Sequence, residues 1–417
     1  MNKGIVALGG AALLALVWVF TGQGGDEEDG RTIAYHVLAE PGPVEIPFDV
    51  FRGEIRMHGE INGKTVRILI DNGRLWDDLL FFGSEEVDAL GLSYGGEVSV
   101  GGSGSGEPVP ARDAYGVTLS FPGIDFVDQN AVVTSFVPGA PNMWEGSEGQ
   151  ISAALFSHFV VEMDFEKLLI ILHDPSSYEY DGGGVELPLT EMPTGAWSFP
   201  GAIALPGRTP VEVDLAMDVG SGNPLQIALD SGHDFELPSG AVPASLGFGM
   251  QGEMLGHYAP VSRLIIGTYE FETFSAFEPK TQIDEVQVGF DIFARSHVVF
   301  DYPHDRIYLH PNRYSHEGYP IEISGMILQT REQGGVEIKG VLQQSLAFEA
   351  DLQKSDHLVA VGDVDVAALG LWEVLALLSA NETTNVTVAR GEGQHSAPLP
   401  VRRARYFGDD EMYVNRD

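Results

Sequence analysis

Two short motifs in this 417-residue chain place a carboxylate where it could act on a substrate. Asp71-Asn72-Gly73 follows a run of mostly β-forming residues at 66–70, and Asp230-Ser231-Gly232 follows a similar run at 224–229. The glycine two residues after each aspartate allows a tight turn and a close approach of the backbone. Two carboxylates facing each other at about 3 Å cannot both ionise, so they share a proton. Such a pair can activate a water molecule and polarise a carbonyl group.

Each motif alone also has a structural interpretation, because Asn-Gly and similar pairs are common turn signals. An internal repeat favours reading the two motifs as one site. The ends of the two copies match without a gap at four positions: Gln150 with Gln287, Phe156 with Phe293, Asp164 with Asp301, and His173 with His310. The repeat therefore predicts that Asp71 and Asp230 derive from one two-carboxylate site. The matching histidines are best explained as structural strand ends.

The local patterns predict a mainly β protein, consistent with 51 glycines and 24 prolines that suit turn-rich chains. Asn62-Gly63 predicts a hairpin that ends at Asp71. Residues 84–92 are typical of a short helix, and runs at 211–217 and 225–229 predict a second hairpin, which ends at Asp230. Further strands and helices are expected near the C-terminus: strands at 326–330, 336–341, 357–361, 384–389 and 397–401, and helices at 346–352 and 371–380.

These patterns divide the chain into successive segments. They are a signal peptide or membrane anchor plus linker at 1–30, a first β unit at 31–180, a second at 181–315, a third unit at 318–404, and a tail at 405–417. Lys3 followed by an apolar run at 5–20 is typical of a signal peptide, although an uncleaved anchor would also fit. Either interpretation predicts an extracytoplasmic protein, periplasmic or secreted, which would be membrane-anchored if the segment is not cleaved.

Composition argues against several other functions. The chain has 23 Lys and Arg against 61 Asp and Glu, a formal charge of -38, which disfavours binding to nucleic acid. The absence of cysteine excludes disulfides, a thiol nucleophile and Cys-ligated zinc. The sequence has no H-E-x-x-H, G-x-S-x-G or phosphate-loop motif, so neither a metal nor another cofactor is predicted.

The first two units resemble retropepsin-like aspartic proteases, in particular bacterial proteins with two such lobes and a C-terminal PDZ domain. Asp71-Asn72-Gly73 and Asp230-Ser231-Gly232 stand for the family's Asp-Thr/Ser-Gly turns, and Val288-Gly289 for the element that braces such a turn. The resemblance implies two β lobes with catalytic Asp71 and Asp230, and with Gly289 in support. It also implies flaps that cover the substrate, at Gly102, Ser103 and Gly104 in one lobe and around Gly252 in the other.

The third unit resembles a PDZ domain, a β fold with two helices. The run 350–361 matches the family's Ala-Gly-Leu-x-x-Gly-Asp-x-Ile-x-x-Val pattern, with Asp351 and Ser355 in place of the glycines. The resemblance implies a peptide-binding loop at Gly325, Met326 and Ile327, which would capture an extended peptide or a C-terminus by strand addition.

Two functions follow from these resemblances. The first is an extracytoplasmic aspartic-type endopeptidase whose partner is a polypeptide substrate. The second is a catalytically inactive, protease-like protein that binds peptides, since the sequence departs from the family pattern at Asn72, Arg74 and Ser152. An Arg74 side chain turned towards Asp71 would hold that carboxylate ionised and disturb proton sharing.

Overall fold

A computed structural model of the chain describes most of the residues between 35 and 400. The described ranges are 35–37, 42–51, 54–73, 78–104, 106–135, 146–152, 154–229, 232–233, 235–239, 241–278, 286–315, 324–331, 334–341, 345–379, 383–391 and 393–400. The predicted leader or anchor at 1–30 and the tail at 405–417 lie outside them, as do Arg74, Asp230 and Ser231.

The chain is mainly β, with short helices between the strands. The elements up to residue 173 are β1 (Tyr35–Val37), β2 (Val44–Phe51), β3 (Glu54–Ile61), β4 (Lys64–Ile70), β5 (Leu79–Phe81), α1 (Glu85–Asp88), β6 (Ser93–Val100), β7 (Val109–Phe121), β8 (Ile124–Thr134), β9 (Gly149–Ile151), α2 (Ala154–His158), β10 (Val160–Asp164) and β11 (Leu169–His173). The next are β12 (Val185–Pro188), β13 (Thr190–Glu191), β14 (Trp197–Ala204), β15 (Val211–Asp218), β16 (Leu225–Ala228), β17 (Val242–Gly249), β18 (Gly252–Ile266), β19 (Tyr269–Glu278), β20 (Val286–Gly289), α3 (Phe290–Phe293), β21 (Ser296–Asp301), a 3₁₀ turn (Tyr302–His304) and β22 (Arg306–Pro311). The last are β23 (Met326–Thr330), β24 (Val336–Val341), α4 (Leu346–Glu349), β25 (His357–Val361), β26 (Val364–Asp365), α5 (Leu371–Ser379), β27 (Thr383–Arg390) and β28 (Gly393–Pro400).

Strands β3 to β11, the first repeat, and β14 to β22, the second repeat, pair in the same way. In the first repeat, β4 pairs antiparallel with β3 and parallel with β9, while β5 pairs antiparallel with β9 and parallel with β8. In the second repeat, β15 pairs antiparallel with β14 and parallel with β20, while β16 pairs antiparallel with β20 and parallel with β19. The hairpins β6–β7 and β17–β18 also correspond. The predicted duplication is therefore present in the strand topology.

One part of the predicted topology is wrong. Strands β15 and β16 were expected to form a hairpin, but β20 lies between them in the sheet. The true hairpin partner of β15 is β14, and the two are connected by a turn in which Gly207 has a φ of +74°. By contrast, the hairpin predicted at Asn62-Gly63 forms, with φ angles of 53° and 73° at these two residues.

A central ribbon joins the two repeats. Strands β10 and β21, one from each repeat, pair antiparallel, and β11 and β22 extend the ribbon on either side. Strands β2 and β12 then continue it on the two outer sides. Alternating side chains from both repeats merge into one apolar core, in which Phe156, Phe293 and Phe300 are fully buried. The shared ribbon and core fix the position of one repeat relative to the other.

The third unit, β23 to β28 with α4 and α5, forms its own sheet and core. Its strand order is β23-β24-β25-β27-β28, with β26 paired to β25, and β23 lies at one edge. Predicted strands 326–330, 336–341 and 357–361 coincide with β23, β24 and β25. Of the helices that the structure describes, none is long and apolar enough to span a bilayer.

Glu162 contacts histidines from both repeats on one face of the ribbon. Its Oε2 lies 2.8 Å from Nε2 of His173, and its Oε1 lies 2.9 Å from Nε2 of His297. Burial alone would raise the pKa of Glu162, but the hydrogen bonds and charges of the two histidines outweigh burial and lower it to about 2. The hydrogen bond to Glu162 in turn raises the pKa of His297, and Asp164, whose Oδ2 lies 3.8 Å from Nδ1 of His297, adds to this effect.

This cluster should make the stability of the joined repeats depend on pH. The contribution of His297 is fully present below its unfolded pKa, about 6.5, and is lost as the pH rises through its raised folded pKa. The contribution of Glu162 is present above its unfolded pKa and is lost as the pH falls from about 4.5 towards 2. We therefore expect Glu162→Gln to cost about 1 kcal/mol of stability near pH 5.5 and less near pH 8, measured by urea denaturation.

Glu186→Gln is a suitable control, since Glu186 pairs with Arg306 at 3.7 Å on the exposed surface. It should change stability little at either pH. A loss in Glu162→Gln that is as large near pH 8 as near pH 5.5 would show that the charge of His297 is not involved.

Candidate functional site

Asp71 directly follows β4 and is held by the neighbouring strand. Its backbone N–H donates to the carbonyl oxygen of Ile151 in β9 at 3.0 Å, which extends the parallel pairing by one step. Its Oδ1 accepts the N–H of Gly73 at 2.9 Å, so the carboxylate closes its own turn. The side-chain amide of Gln150 donates to the other oxygen, Oδ2, at 3.1 Å.

Asp218, the last residue of β15, occupies the same position in the second repeat. Strand register establishes the equivalence: Gln150 is paired with Leu69, two residues before Asp71, and Gln287 is paired with Ala216, two residues before Asp218. The turn is closed in the same way, because Oδ1 of Asp218 accepts the N–H of Gly220 at 3.0 Å.

The carboxyl groups of Asp71 and Asp218 hydrogen-bond to each other across the two repeats. Each is also packed against the glycine of the other turn. A Cβ added to Gly73 would lie 2.5 Å from Oδ1 of Asp218, and one added to Gly220 would lie 2.6 Å from the carboxyl carbon of Asp71. Any side chain at Gly73 or Gly220 would therefore push the two carboxyl groups apart.

The surroundings of Asp218 favour its protonated form. Burial is the largest effect that raises its pKa well above the usual value, and the nearby charge of Asp71 raises it further. The N–H groups of Gly220 and Ser221 oppose this shift by hydrogen bonding to the carboxylate. Asp218 still keeps part of its surface accessible to solvent. The pair can thus hold one proton between two oxygens and present both carboxyl groups to a water molecule.

Asn72 links the two aspartate turns. Its Oδ1 accepts the backbone N–H of Val219 at 2.7 Å, and its Nδ2 donates to the hydroxyl of Tyr302 at 2.9 Å. Asn72 is 3% exposed, so both contacts are made in the interior. The Asn72 amide therefore joins the two turns through its oxygen and binds Tyr302 through its nitrogen. Burial raises the pKa of the Tyr302 hydroxyl, which keeps it neutral.

Gly289 supports the loop that follows Asp218. Its N–H donates to the carbonyl oxygen of Pro224 at 3.1 Å, and the next N–H, of Phe290, donates to that of Ser221 at 2.9 Å. A Cβ at Gly289 would lie 2.7 Å from the Ser221 oxygen, so a larger residue would displace the loop. In the first repeat the corresponding residue is Ser152, which is fully buried.

The predicted second carboxylate, Asp230, lies outside the described residues, as does Ser231. The carboxyl group that the described residues bring to Asp71 belongs to Asp218, a residue that neither sequence motif includes. Gly232 is described, and it is exposed, with a φ of +81° and no atom within 4 Å of a Cβ position. A usable signal was the match of Gln150 with Gln287, because each glutamine lies opposite the strand that leads to its aspartate.

The predicted flap residues lie together at the tips of the hairpins β6–β7 and β17–β18. Gln251, at the second tip, makes four hydrogen bonds to the first tip. Its backbone N–H donates to the Ser103 oxygen at 2.9 Å, and its backbone oxygen accepts the N–H of Gly106 at 2.7 Å. Its side-chain Oε1 accepts the N–H of Gly102 at 3.1 Å, while Nε2 donates to the Gly106 oxygen at 2.8 Å.

Close backbone approach explains the glycines in these tips. Gly104 and Gly252 have φ angles of +119° and +97°, and a Cβ at Gly104 would lie 2.7 Å from the backbone of Gly252. Met250 packs against an apolar cluster of the first repeat, which includes Leu69, two residues before Asp71. The second tip thus contacts the first repeat as well as the first tip.

Asn223 connects the second hairpin to the loop after Asp218. Its Oδ1 accepts the Tyr258 hydroxyl at 2.7 Å, and its Nδ2 donates to the carbonyl oxygen of Leu246 at 2.9 Å. These contacts hold β18 and β17, respectively, against the loop that Gly289 supports.

The predicted peptide-binding residues Gly325, Met326 and Ile327 belong to the third unit and lie apart from the aspartates in the fold. Gly325 has a φ of +76°, and a Cβ there would lie 3.0 Å from the Pro243 oxygen of β17. Met326 and Ile327 begin the edge strand β23, and the Met326 N–H donates to the hydroxyl of Ser324 at 3.1 Å. Among the described residues, no group of three or more His, Asp and Glu side chains could hold a metal ion.

Comparison with known proteins identifies no relatives: no protein-family model matches the chain, and no curated protein does. The geometry of the site is therefore the basis on which a function is proposed below.

The packing of the two glycines can be tested by substitution. We expect Gly73→Ala and Gly220→Ala each to destabilise the protein by about 1–3 kcal/mol, because each new methyl group would overlap a carboxyl group. Gly222→Ala is the matched control in the same loop, since no atom lies within 4 Å of its added Cβ. Urea denaturation measures the difference, and equal effects of Gly220→Ala and Gly222→Ala would contradict the contact.

The contact between the hairpin tips can be tested by hydrogen exchange. Gln251→Ala removes two side-chain hydrogen bonds but keeps the backbone pair, so the Gly102 amide should exchange about thirtyfold faster, as expected for two bonds of roughly 1 kcal/mol each. Leu255→Ala changes an exposed residue of β18 and should leave this exchange rate unchanged. An unchanged rate in Gln251→Ala would mean that its side chain does not hold the tips together.

Proposed function

We propose that the chain is an aspartic-type endopeptidase in which Asp71 and Asp218 form the catalytic pair. One observation carries this proposal: the two carboxyl groups hydrogen-bond to each other while each packs against the glycine of the opposite turn. A purely structural pair of acids gains nothing from this arrangement, since bringing two carboxyl groups together is unfavourable unless they share a proton.

The fold we propose for the two repeats is that of two retropepsin-like lobes. The support is topological, because each aspartate ends a strand that lies parallel to a later strand of its own repeat. The hairpins β6–β7 and β17–β18 would be the flaps. A polypeptide substrate would then lie in extended form between the two tips and the aspartates.

In the proposed reaction, the ionised carboxylate takes a proton from the bound water while the water oxygen bonds to the scissile carbonyl carbon. The protonated carboxyl group gives its proton to the carbonyl oxygen, which leaves a neutral tetrahedral intermediate. Its breakdown returns a proton to the pair and passes one to the leaving amine nitrogen as the C–N bond breaks. The chain needs no cofactor for these steps, because the two carboxyl groups supply every proton transfer.

The third unit is proposed to be a PDZ-like domain that captures an extended peptide or a C-terminus. The position of β23 at the sheet edge supports this, because strand addition needs an unpaired edge. Its ligand could be part of the substrate or a separate protein. An extracytoplasmic location, with a cleaved leader or an N-terminal anchor, remains the prediction made from residues 1–30.

Hydrolysis of casein, an unstructured protein, between about pH 3 and 8 tests the catalytic pair. Asp71→Asn and Asp218→Asn should each reduce the rate by several orders of magnitude, because either amide ends proton sharing. Asp230→Asn is the matched control and should keep most of the activity.

A loss of activity in Asp230→Asn but not in Asp218→Asn would restore the pairing predicted from the sequence. If the wild-type protein binds the substrate but does not cleave it at any pH in this range, the protein would instead be the non-catalytic, peptide-binding alternative.

A further inference from the structure

Gln150 lies at the centre of the sheet face beside Asp71. Strand β9 places it between Leu69 of β4 and Leu80 of β5. Its side chain is largely buried, and its Nε2 is 3.1 Å from Oδ2 of Asp71. An amide nitrogen can only donate, so Oδ2 must act as an acceptor in this contact.

The hydrogen-bond donors around the two aspartates differ. Asp71 receives a backbone N–H from Gly73 on one oxygen and the Gln150 amide on the other. Within the described part of the chain, Asp218 receives backbone N–H groups from Gly220 and Ser221, and its side-chain contact is with Asp71 itself rather than with an amide. Gln287, the equivalent of Gln150, is also buried between neighbouring strands, but no hydrogen bond joins it to Asp218.

We propose that Gln150 is a positioning residue that keeps Asp71 ionised and thereby directs the shared proton to Asp218. This inference rests on the proposed catalytic pair and assigns its two roles. The lone pair of Asp71 Oδ2 that accepts the N–H of Gln150 cannot carry the shared proton. A hydrogen bond donated to a carboxylate stabilises the charged form.

The roles within the reaction follow from this asymmetry. Asp71 is the base that removes a proton from the water molecule. Asp218 is the acid that donates a proton to the carbonyl oxygen of the substrate. The environment of Asp218 is consistent with this assignment, because burial and the Asp71 charge both raise its pKa.

The same contact has a consequence for the pH profile. The acidic limb of kcat/KM reports the ionisation that creates the charged member of the free pair. Because the Gln150 amide lowers the pKa of that step, its removal should move the acidic limb to higher pH. A hydrogen bond to a charged group corresponds to a shift of about one pH unit.

The test compares Gln150→Leu with the matched variant Gln287→Leu, using casein hydrolysis as a function of pH. Gln150→Leu should shift the acidic limb upward by about one pH unit, whereas Gln287→Leu should leave it in place. Gln150→Met, which keeps an unbranched side chain of similar size, should behave like Gln150→Leu and guards against a packing defect in the leucine variant.

A second measurement does not depend on catalysis. Titration of aspartate side chains labelled with ¹³C and followed by NMR gives the ionisation of the pair in each variant, with Asp71→Asn and Asp218→Asn used to assign the signals. The lower apparent pKa of the pair should rise in Gln150→Leu and Gln150→Met and stay unchanged in Gln287→Leu.

The outcomes separate this inference from the proposed function. A lower apparent pKa that is unchanged in both Gln150 variants, or equally raised in Gln287→Leu, would overturn the role of Gln150 even if the enzyme is active. A downward shift would also overturn it, since it would mean that the amide oxygen faces a protonated Asp71. Absence of hydrolysis together with the expected titration shifts would reject the peptidase and retain the proton assignment.

Discussion

The contact between the carboxyl groups of Asp71 and Asp218 is the constraint on which the rest of the structure depends. Two acids in partly buried contact repel each other when both are charged, so the surrounding protein must hold them together. The backbone does most of this work: each aspartate ends a strand paired in parallel with β9 or β20, and each carboxylate accepts an N–H from its own turn. Because these supports are backbone groups, they cannot rotate away as a side chain can.

The duplicated framework carries side chains that are not duplicated. Asn72 crosses to the other turn and accepts the N–H of Val219, whereas the apolar Val219 side chain cannot return an equivalent bond. The single amide compensates by using its second group on Tyr302, which belongs to the 3₁₀ turn after the ribbon strand β21. Among the described residues, a side-chain bond thus crosses between the turns from the first repeat but not from the second, and the two aspartates lie in different environments although their strands are equivalent.

The sequence predicted what depends on neighbouring residues. The helix expected at 84–92 forms only at Glu85–Asp88 (α1), and Ser84 caps it by accepting the N–H of Val87. The three strands 326–330, 336–341 and 357–361 were found because alternation and flanking turns define them. The place of Asp71 at the end of β4 was predicted in the same way, since a strong hairpin signal, Asn62-Gly63, leads into its strand.

The position of Asp218 beside Asp71 was not predicted, because it depends on a contact between residues far apart in sequence. The turn before β15 carries no Asn-Gly signal, and the segment between the aspartate and the matching glutamine differs in length between the repeats. Parallel pairing of β15 with β20 joins residues far apart in sequence, which a local pattern cannot reveal. The partner of Asn72, Tyr302, is likewise 230 residues away, so the sequence could show an unusual residue in the turn but not what satisfies it.

The second hairpin connects closure of the site with the geometry of the pair. At its base, Asn223 binds both strands of the hairpin to the loop after Asp218, and at its tip Gln251 binds the first hairpin. Since that loop is also held by Gly289, displacement of the hairpin must either break the Asn223 contacts or strain the loop. A movement that separates the tips would therefore act on the segment next to Asp218 but not on the opposite side of Asp71, where Gln150 is fixed in the sheet. In the proposed assignment, the charged carboxylate is therefore the one that the sheet holds from both neighbouring strands.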